Sequence, residues 1–242
     1  GSIFTMNAID GFTLENVTIE CRGLPQAMEL KGFMSSFNLT QVNFENVQNV
    51  GILGVGLGGV GGQMGVLQNC SFTGSSRSAV AIRLEAGQQD TREINIRSCR
   101  FLGPLQTGIA IQGEVDNLNF AQNRFHDAAT GIVFSGSESS RKRLTFTNNT
   151  FHNCDQGIAF ESGPSALDNG FTFAKNLFIG GSGAAVSVQR AEVDLAKLSQ
   201  GGTGTNFNWT DRAELGTGTL NIFAASGKTA AEVKFASTDP TD

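Results

Sequence analysis

Along most of the chain, apolar residues alternate with polar or small ones in short runs, and the alternation restarts at a nearly constant interval. Leu118–Phe125, Leu144–Phe151 and Phe171–Phe178 align without gaps as apolar-x-Phe-x-x-Asn-x-Phe. Looser copies run over Ile94–Phe101, Gly65–Phe72, Phe37–Phe44 and Phe12–Ile19. The third residue from the end of each copy is Val17, Val42, Cys70, Cys99, Asn123, Asn149 or Asn176, so the unit recurs every 24 to 29 residues. Each copy is followed by a second alternating run: Gly108-Ile-Ala-Ile111, Gly131-Ile-Val-Phe134, Gly157-Ile-Ala-Phe160, with Ala79-Val-Ala-Ile82 and Ala184–Val188 as weaker versions. Period two is strand periodicity. A repeat that tolerates small length changes means one structural turn per copy, with loops taking up the differences.

Two repeat architectures share the first half of this unit. A leucine-rich repeat would follow it with a helix or a similar leucine-bearing segment. Here the second half is short, β-branched and set among Gly, Ser and Thr, without leucines at helical spacing. The pattern predicts an all-β fold: a right-handed, single-stranded parallel β-helix of about seven coils over 1–190, with 191–242 as an irregular C-terminal cap. In such a coil, equivalent residues stack about 4.8 Å apart. Leu14, Leu39, Leu67, Ile96, Phe120, Phe146 and Phe173 are expected to form one inward column, and Ile19, Phe44, Phe72, Phe101, Phe125, Phe151 and Phe178 another. Asn123, Asn149 and Asn176 are expected to form an amide ladder at a bend, where Asn also tolerates the left-handed conformation. On this reading the ladder covers only the last three coils.

Composition sharpens the picture. The chain of 242 residues holds 19 Phe, one Trp and no Tyr, as suits an apolar column with no partner for a phenol hydroxyl. Its formal net charge is −5, which excludes a general nucleic-acid binder that needs a basic face. No apolar run is long enough to span a membrane. Cys21, Cys70, Cys99 and Cys154 are too few and too scattered for a disulfide scaffold; Cys70 and Cys99, one rung apart, are read as buried free thiols. The start at Gly1-Ser2 and the abrupt end read as those of a fragment of a longer protein. The compartment stays open, with an extracytoplasmic or cell-surface setting in a bacterium favoured.

The Asn-x-Phe turns followed by Gly-Ile-x-Phe strands resemble the parallel β-helix repeats of the pectate-lyase-like superfamily, over about residues 8 to 190. The stretch around Phe235–Pro240 is similar to segments that follow β-helix repeats in large multidomain bacterial proteins, some of which carry a Ser/Thr kinase domain elsewhere. The chain itself has no kinase motif. In superfamily members that act on polysaccharides, the substrate lies along one sheet between loops. The resemblance thus implies a polysaccharide lyase or glycoside hydrolase, or an accessory domain of a kinase-related protein, as alternatives to a non-catalytic module.

Alternation sends Glu29, Lys31, Ala81, Arg83, Ala110, Gln112, Val133, Ser135, Ala159, Glu161 and Ser187 outward from the second-half sheet. Arg83, Gln112, Ser135, Glu161 and Gln189 then read as one outward column, a candidate binding stripe. Beside it, loops carry Glu85, Asp90, Glu114, Glu138, Arg141 and Asp168. A lyase needs clustered acids to hold calcium against a uronate, with a nearby base. A hydrolase needs two carboxyl groups about 5–9.5 Å apart. The stripe supplies one carboxylate, Glu161, so no catalytic residue is assigned and no cofactor is expected. His126 and His152 fall in one outward column with Asp127, Asn153 and Asp155 near, a weak candidate for a metal site. The sum favours a non-catalytic module of a larger protein that binds carbohydrate or a protein partner through a sheet face or its loops.

Overall fold

The computed structural model describes residues 1–7, 11–32, 36–58, 65–87, 91–136, 141–161, 172–181 and 186–188. The segment expected to form the cap, 191–242, lies outside the described residues, as do Gln189, Asp90, Glu138 and Asp168. Every strand pairing is parallel, and no helix occurs among the described residues. The chain is a parallel β-solenoid, and each turn brings up to three strands. The first strands are Phe12–Glu15, Phe37–Thr40, Gly65–Gln68, Thr91–Arg97, Val115–Ala121, Arg141–Thr147 and Thr172–Ala174; they form a seven-stranded sheet of their own. Second and third strands share a 13-stranded sheet, because Arg100–Gln112 and Arg124–Ser135 each run round the corner between them without a break.

Both expected inward columns form in register. Leu14, Leu39, Leu67, Ile96, Phe120, Phe146 and Phe173 are successive partners. So are Ile19, Phe44, Phe72, Phe101, Phe125, Phe151 and Phe178. From Phe44 to Phe178 the rings stack nearly parallel, with centroids 4.5 to 5.2 Å apart. Each buried ring contributes roughly 1.5–3 kcal/mol gross, and each stacked pair about 0.5–1.5 kcal/mol more.

These rings explain the glycine that opens the Gly-Ile-x-Phe run. Gly108, Gly131 and Gly157 stack in the third strands, and a Cβ on Gly131 would lie 2.5 Å from Phe151 Cδ1 and 2.6 Å from the Gly157 carbonyl oxygen. The strand therefore starts with two consecutive inward positions, glycine beneath the ring column and then isoleucine. Ala81 pairs with Gly108 and is fully buried, which corrects its expected outward placement. The motif in that turn is Ala81-Ile-Arg-Leu84, two residues later than periodicity alone suggested, since Ser75–Ser78 add length at the corner.

The bend before each second strand is equally regular. Asn16, Gln41, Asn69, Ser98, Gln122, Asn148 and Lys175 all have φ between 54° and 57°. The left-handed residue is thus the one before the ladder position, not the ladder asparagine itself. That leaves the ladder side chain free to point inward. Asn123, Asn149 and Asn176 donate through Nδ2 to the carbonyls of Ile96, Phe120 and Phe146 in the preceding turn. Their Oδ1 atoms accept from the backbone amides of Cys99, Asn123 and Asn149. The ladder does not stop at Asn123, as expected from sequence. Cys99 Sγ and Cys70 Sγ lie 3.6 and 3.3 Å from the carbonyls of Leu67 and Leu39, which are the equivalent acceptors. Two thiols thus continue the pattern of three amides. All four cysteines are free and buried.

Candidate binding groove and outer columns

The same two-residue offset rearranges the expected stripe. Arg83 pairs with Ala110, so it stacks with Leu53, Ala110 and Val133. Gln112 pairs with Glu85 on one side and Ser135 on the other. Glu161 follows in the next turn, with its amide donating to the Phe134 carbonyl. The outward column therefore reads Lys31, Val55, Glu85, Gln112, Ser135, Glu161, with Arg83 outside it. Glu85 sits in the strand and in that column, not in a flanking loop. Glu85 and Glu161 are three rungs apart, roughly 14 Å, so the column holds no carboxylate pair. The neighbouring outward column is apolar in its later turns, and Val133 and Ala159 on it are buried.

The histidine column forms as expected. His126 and His152 are partners one rung apart, and their rings stack with centroids at 4.6 Å. His126 Nδ1 donates to Asp127 Oδ2 at 2.8 Å, and Asn153 Nδ2 donates to Asp127 Oδ1 at 3.0 Å. His152 Nδ1 is buried without a hydrogen-bond partner. Among the described residues, no group of three or more His, Cys, Asp or Glu is placed to hold a metal ion.

Beyond the histidines, the corner into the third strand opens a groove of about 690 Å³. Its lining comes from five successive turns: Arg77, then Gly103 to Leu105, then Asp127 to Ala129, then Asn153 and Asp155, then Gly181. The groove follows the stack of turns because its corner is built from one repeated conformation. Asp127, Asn153 and Gly180 stack with φ of 58°, 58° and 65°. Gly181 has no room for a side chain, since a Cβ there would meet the Cys154 carbonyl oxygen. Ala128 and Ala129 keep the middle of the groove shallow and smooth.

Residues 29–196 match the family described as the right handed beta helix region. The chain belongs to the right-handed β-helix family. No curated protein and no solved structure matches it. No helix among the described residues is long and apolar enough to cross a membrane.

In this right-handed β-helix the groove offers a definite set of groups. Asp127 and Asp155 supply carboxylate acceptors, the Asn153 amide can donate or accept, and Arg77 is an exposed cation at one end. Pro104, Leu105 and the alanines supply apolar surface between them. Cys154 lies under the wall, and burial pushes its thiol up to about 12, so it presents no thiolate to the groove. Among the described residues, no aromatic platform lines the groove. Sequence reasoning missed this site because its residues come from corners of different turns. The one available signal was the stacking of Asp127 on Asn153 next to the two histidines.

Proposed function

We propose that the chain is a non-catalytic β-helix module that binds a carbohydrate chain along the groove at Asp127, Asn153 and Asp155. The observation that carries the reading is the continuity of the groove across five turns. A linear ligand laid along the stack meets a similar rung about every 4.8 Å. Alternating carboxylate, amide and apolar surface suits sugar hydroxyls and the C–H faces between them better than the broad apolar core of a protein interface. The Gln112–Ser135–Glu161 column is flatter and lies on another face, so it serves as the comparison surface.

The test is a glycan array followed by titration calorimetry on the best glycan. Asp155→Ala and Arg77→Ala should each weaken binding about tenfold, the size of one charged hydrogen bond, while Gln112→Ala and Glu161→Ala leave it unchanged. Loss confined to the Gln112–Glu161 surface, or no glycan bound at all, would sink the reading. Two carboxylates in one groove favour glycoside hydrolysis as the second reading. Release of reducing ends from the bound glycan, abolished by Asp127→Asn or Asp155→Asn, would decide for it. A rise in absorbance from unsaturated products on polygalacturonate with calcium would decide for a lyase.

A further inference from the structure

We propose that Arg100 and Arg124 form a clamp for a tetrahedral oxyanion, the sulfate or phosphate group of an ester or the free ion. They sit on the outer face of the second strands. The two residues are register partners on adjacent rungs, so their Cα atoms are about 4.8 Å apart. Both side chains are exposed, and the intervening inward ring column fixes them on the same side. Among the described residues neither guanidinium has an ion-pair partner, although the chain carries an excess of acid. Arg143, by contrast, is bound twice by Asp116.

Among the described residues, no carboxylate stands on the rungs of Arg100 and Arg124 beside them on the second strands. The same column continues as Ser71 before Arg100 and Thr150 after Arg124. The next outward column holds Glu20, Glu45, Thr73, Leu102, His126 and His152, so its nearest carboxylate, Glu45, stands two rungs from Arg100, roughly 10 Å along the stack. The bend on the other side holds Ser98 and Gln122, which bond each other. Asp127 lies past His126 and is already engaged by His126 and Asn153. Two like charges are thus held side by side with no ion-pair partner among the described residues, flanked by hydroxyls along the stack.

The chemistry of the ligand follows from the fork geometry of arginine. Each guanidinium presents paired donors that match two oxygens of one anion. Two stacked forks therefore ask for more than two acceptor oxygens on one centre. A carboxylate has two; a sulfate or phosphate group has three or four. The clamp lies on the second strands ahead of the corner that carries the groove, shares no lining residue with it, and stands independently of what the groove binds.

Calorimetry with inorganic sulfate, inorganic phosphate, glucose 6-sulfate, glucose 6-phosphate and acetate tests this directly. At least one tetrahedral anion should bind about tenfold more tightly than acetate. Arg100→Gln or Arg124→Gln should each weaken it about tenfold, and the double variant should abolish it. Arg22→Gln, which removes an equal charge elsewhere, and Asp155→Ala in the groove should leave it unchanged. Tighter binding of the esters identifies a charged saccharide as the source, and equal or tighter binding of the inorganic ions identifies the free anion. Acetate binding as tight as sulfate and phosphate, or an equal loss in Arg22→Gln, would overturn the clamp in favour of diffuse charge attraction. The positions are exposed, and an unchanged melting temperature shows that each variant is folded.

Discussion

The early and late halves of the ladder column solve one problem with different chemistry. At every bend a backbone carbonyl of one turn and an amide of the next turn inward. In the late turns Asn123, Asn149 and Asn176 satisfy them with short amide bonds of 2.8 to 3.1 Å. In the earlier turns Cys70 and Cys99 meet the carbonyl with sulfur at longer range, and before them Val42 fills the position with hydrocarbon. The difference teaches that the column is set by the geometry of the bend. The left-handed residue that precedes it has the same φ in all seven turns, whichever side chain follows.

The strongest way to break the comparison is to make the same substitution in both halves. Asn149→Val removes an amide that serves four bonds: to Phe120 and Asn176, and from the backbone and side chain of Asn123. Several buried groups are left unpaired at about 1–3 kcal/mol each, so the expected loss is about 3–5 kcal/mol. Cys70→Val replaces a weak sulfur donor by a side chain that Val42 already shows to fit, and should cost about 1 kcal/mol. Equal shifts in the urea midpoints of the two variants would mean that the ladder is packing and not hydrogen bonding.

A second comparison lies in the glycine column. Gly131→Ala places a methyl group against Phe151 and the Gly157 carbonyl, at a cost of about 1–3 kcal/mol. Ala81 occupies the same column earlier without strain visible in its burial, so Ala81→Gly should cost less, about 1 kcal/mol from backbone entropy. Thermal unfolding of the two variants measures the contrast. Next in size is an extension of the ladder. Cys99→Asn puts an amide between the Leu67 carbonyl and the Cys70 amide, and should raise stability by about 0.5–1.5 kcal/mol. A loss instead would show that the earlier bend is too narrow for an amide.

Much of the fold was legible from the chain because stacking turns period into position. Phe125 and Phe151 could be placed together from spacing alone, as could His126 and His152. The reading failed where position is not set by period. Ala81 and Arg83 were misplaced by two residues because the corner at Ser75–Ser78 is longer in that turn, and an alternating run looks the same when shifted by two. The groove was invisible for a related reason. Asp127 and Asp155 belong to different turns, sit at corners where alternation breaks down, and form no motif in either turn. The pair Arg100 and Arg124 drew no notice in the sequence, since exposed arginines one repeat apart gain meaning only from the neighbouring columns that the assembled turns define.

A last contrast separates amide from thiol by pH. An amide has no proton to lose, so the Asn half of the column is indifferent to alkali. Buried thiols are not, and Cys21 and Cys154, which lie outside the column, carry the clearest case. Burial pushes Cys21 and Cys154 up to about 12 from an ordinary value of 9.0, with nearby carboxylates adding to the shift. In the folded chain these thiols keep their protons where the unfolded chain has released them. The unfolded state therefore binds fewer protons over that range, and stability must fall as pH rises. The contribution is whole below about pH 9 and is lost progressively toward about pH 12. The Cys21→Ala, Cys154→Ala double variant should be somewhat less stable than the parent at neutral pH, because two packed side chains are trimmed. Its melting temperature should then decline less steeply between pH 9 and pH 12. A decline parallel to the parent's would mean that these thiols open to water before they ionise, and that the turns around them breathe more readily than the ladder beside them.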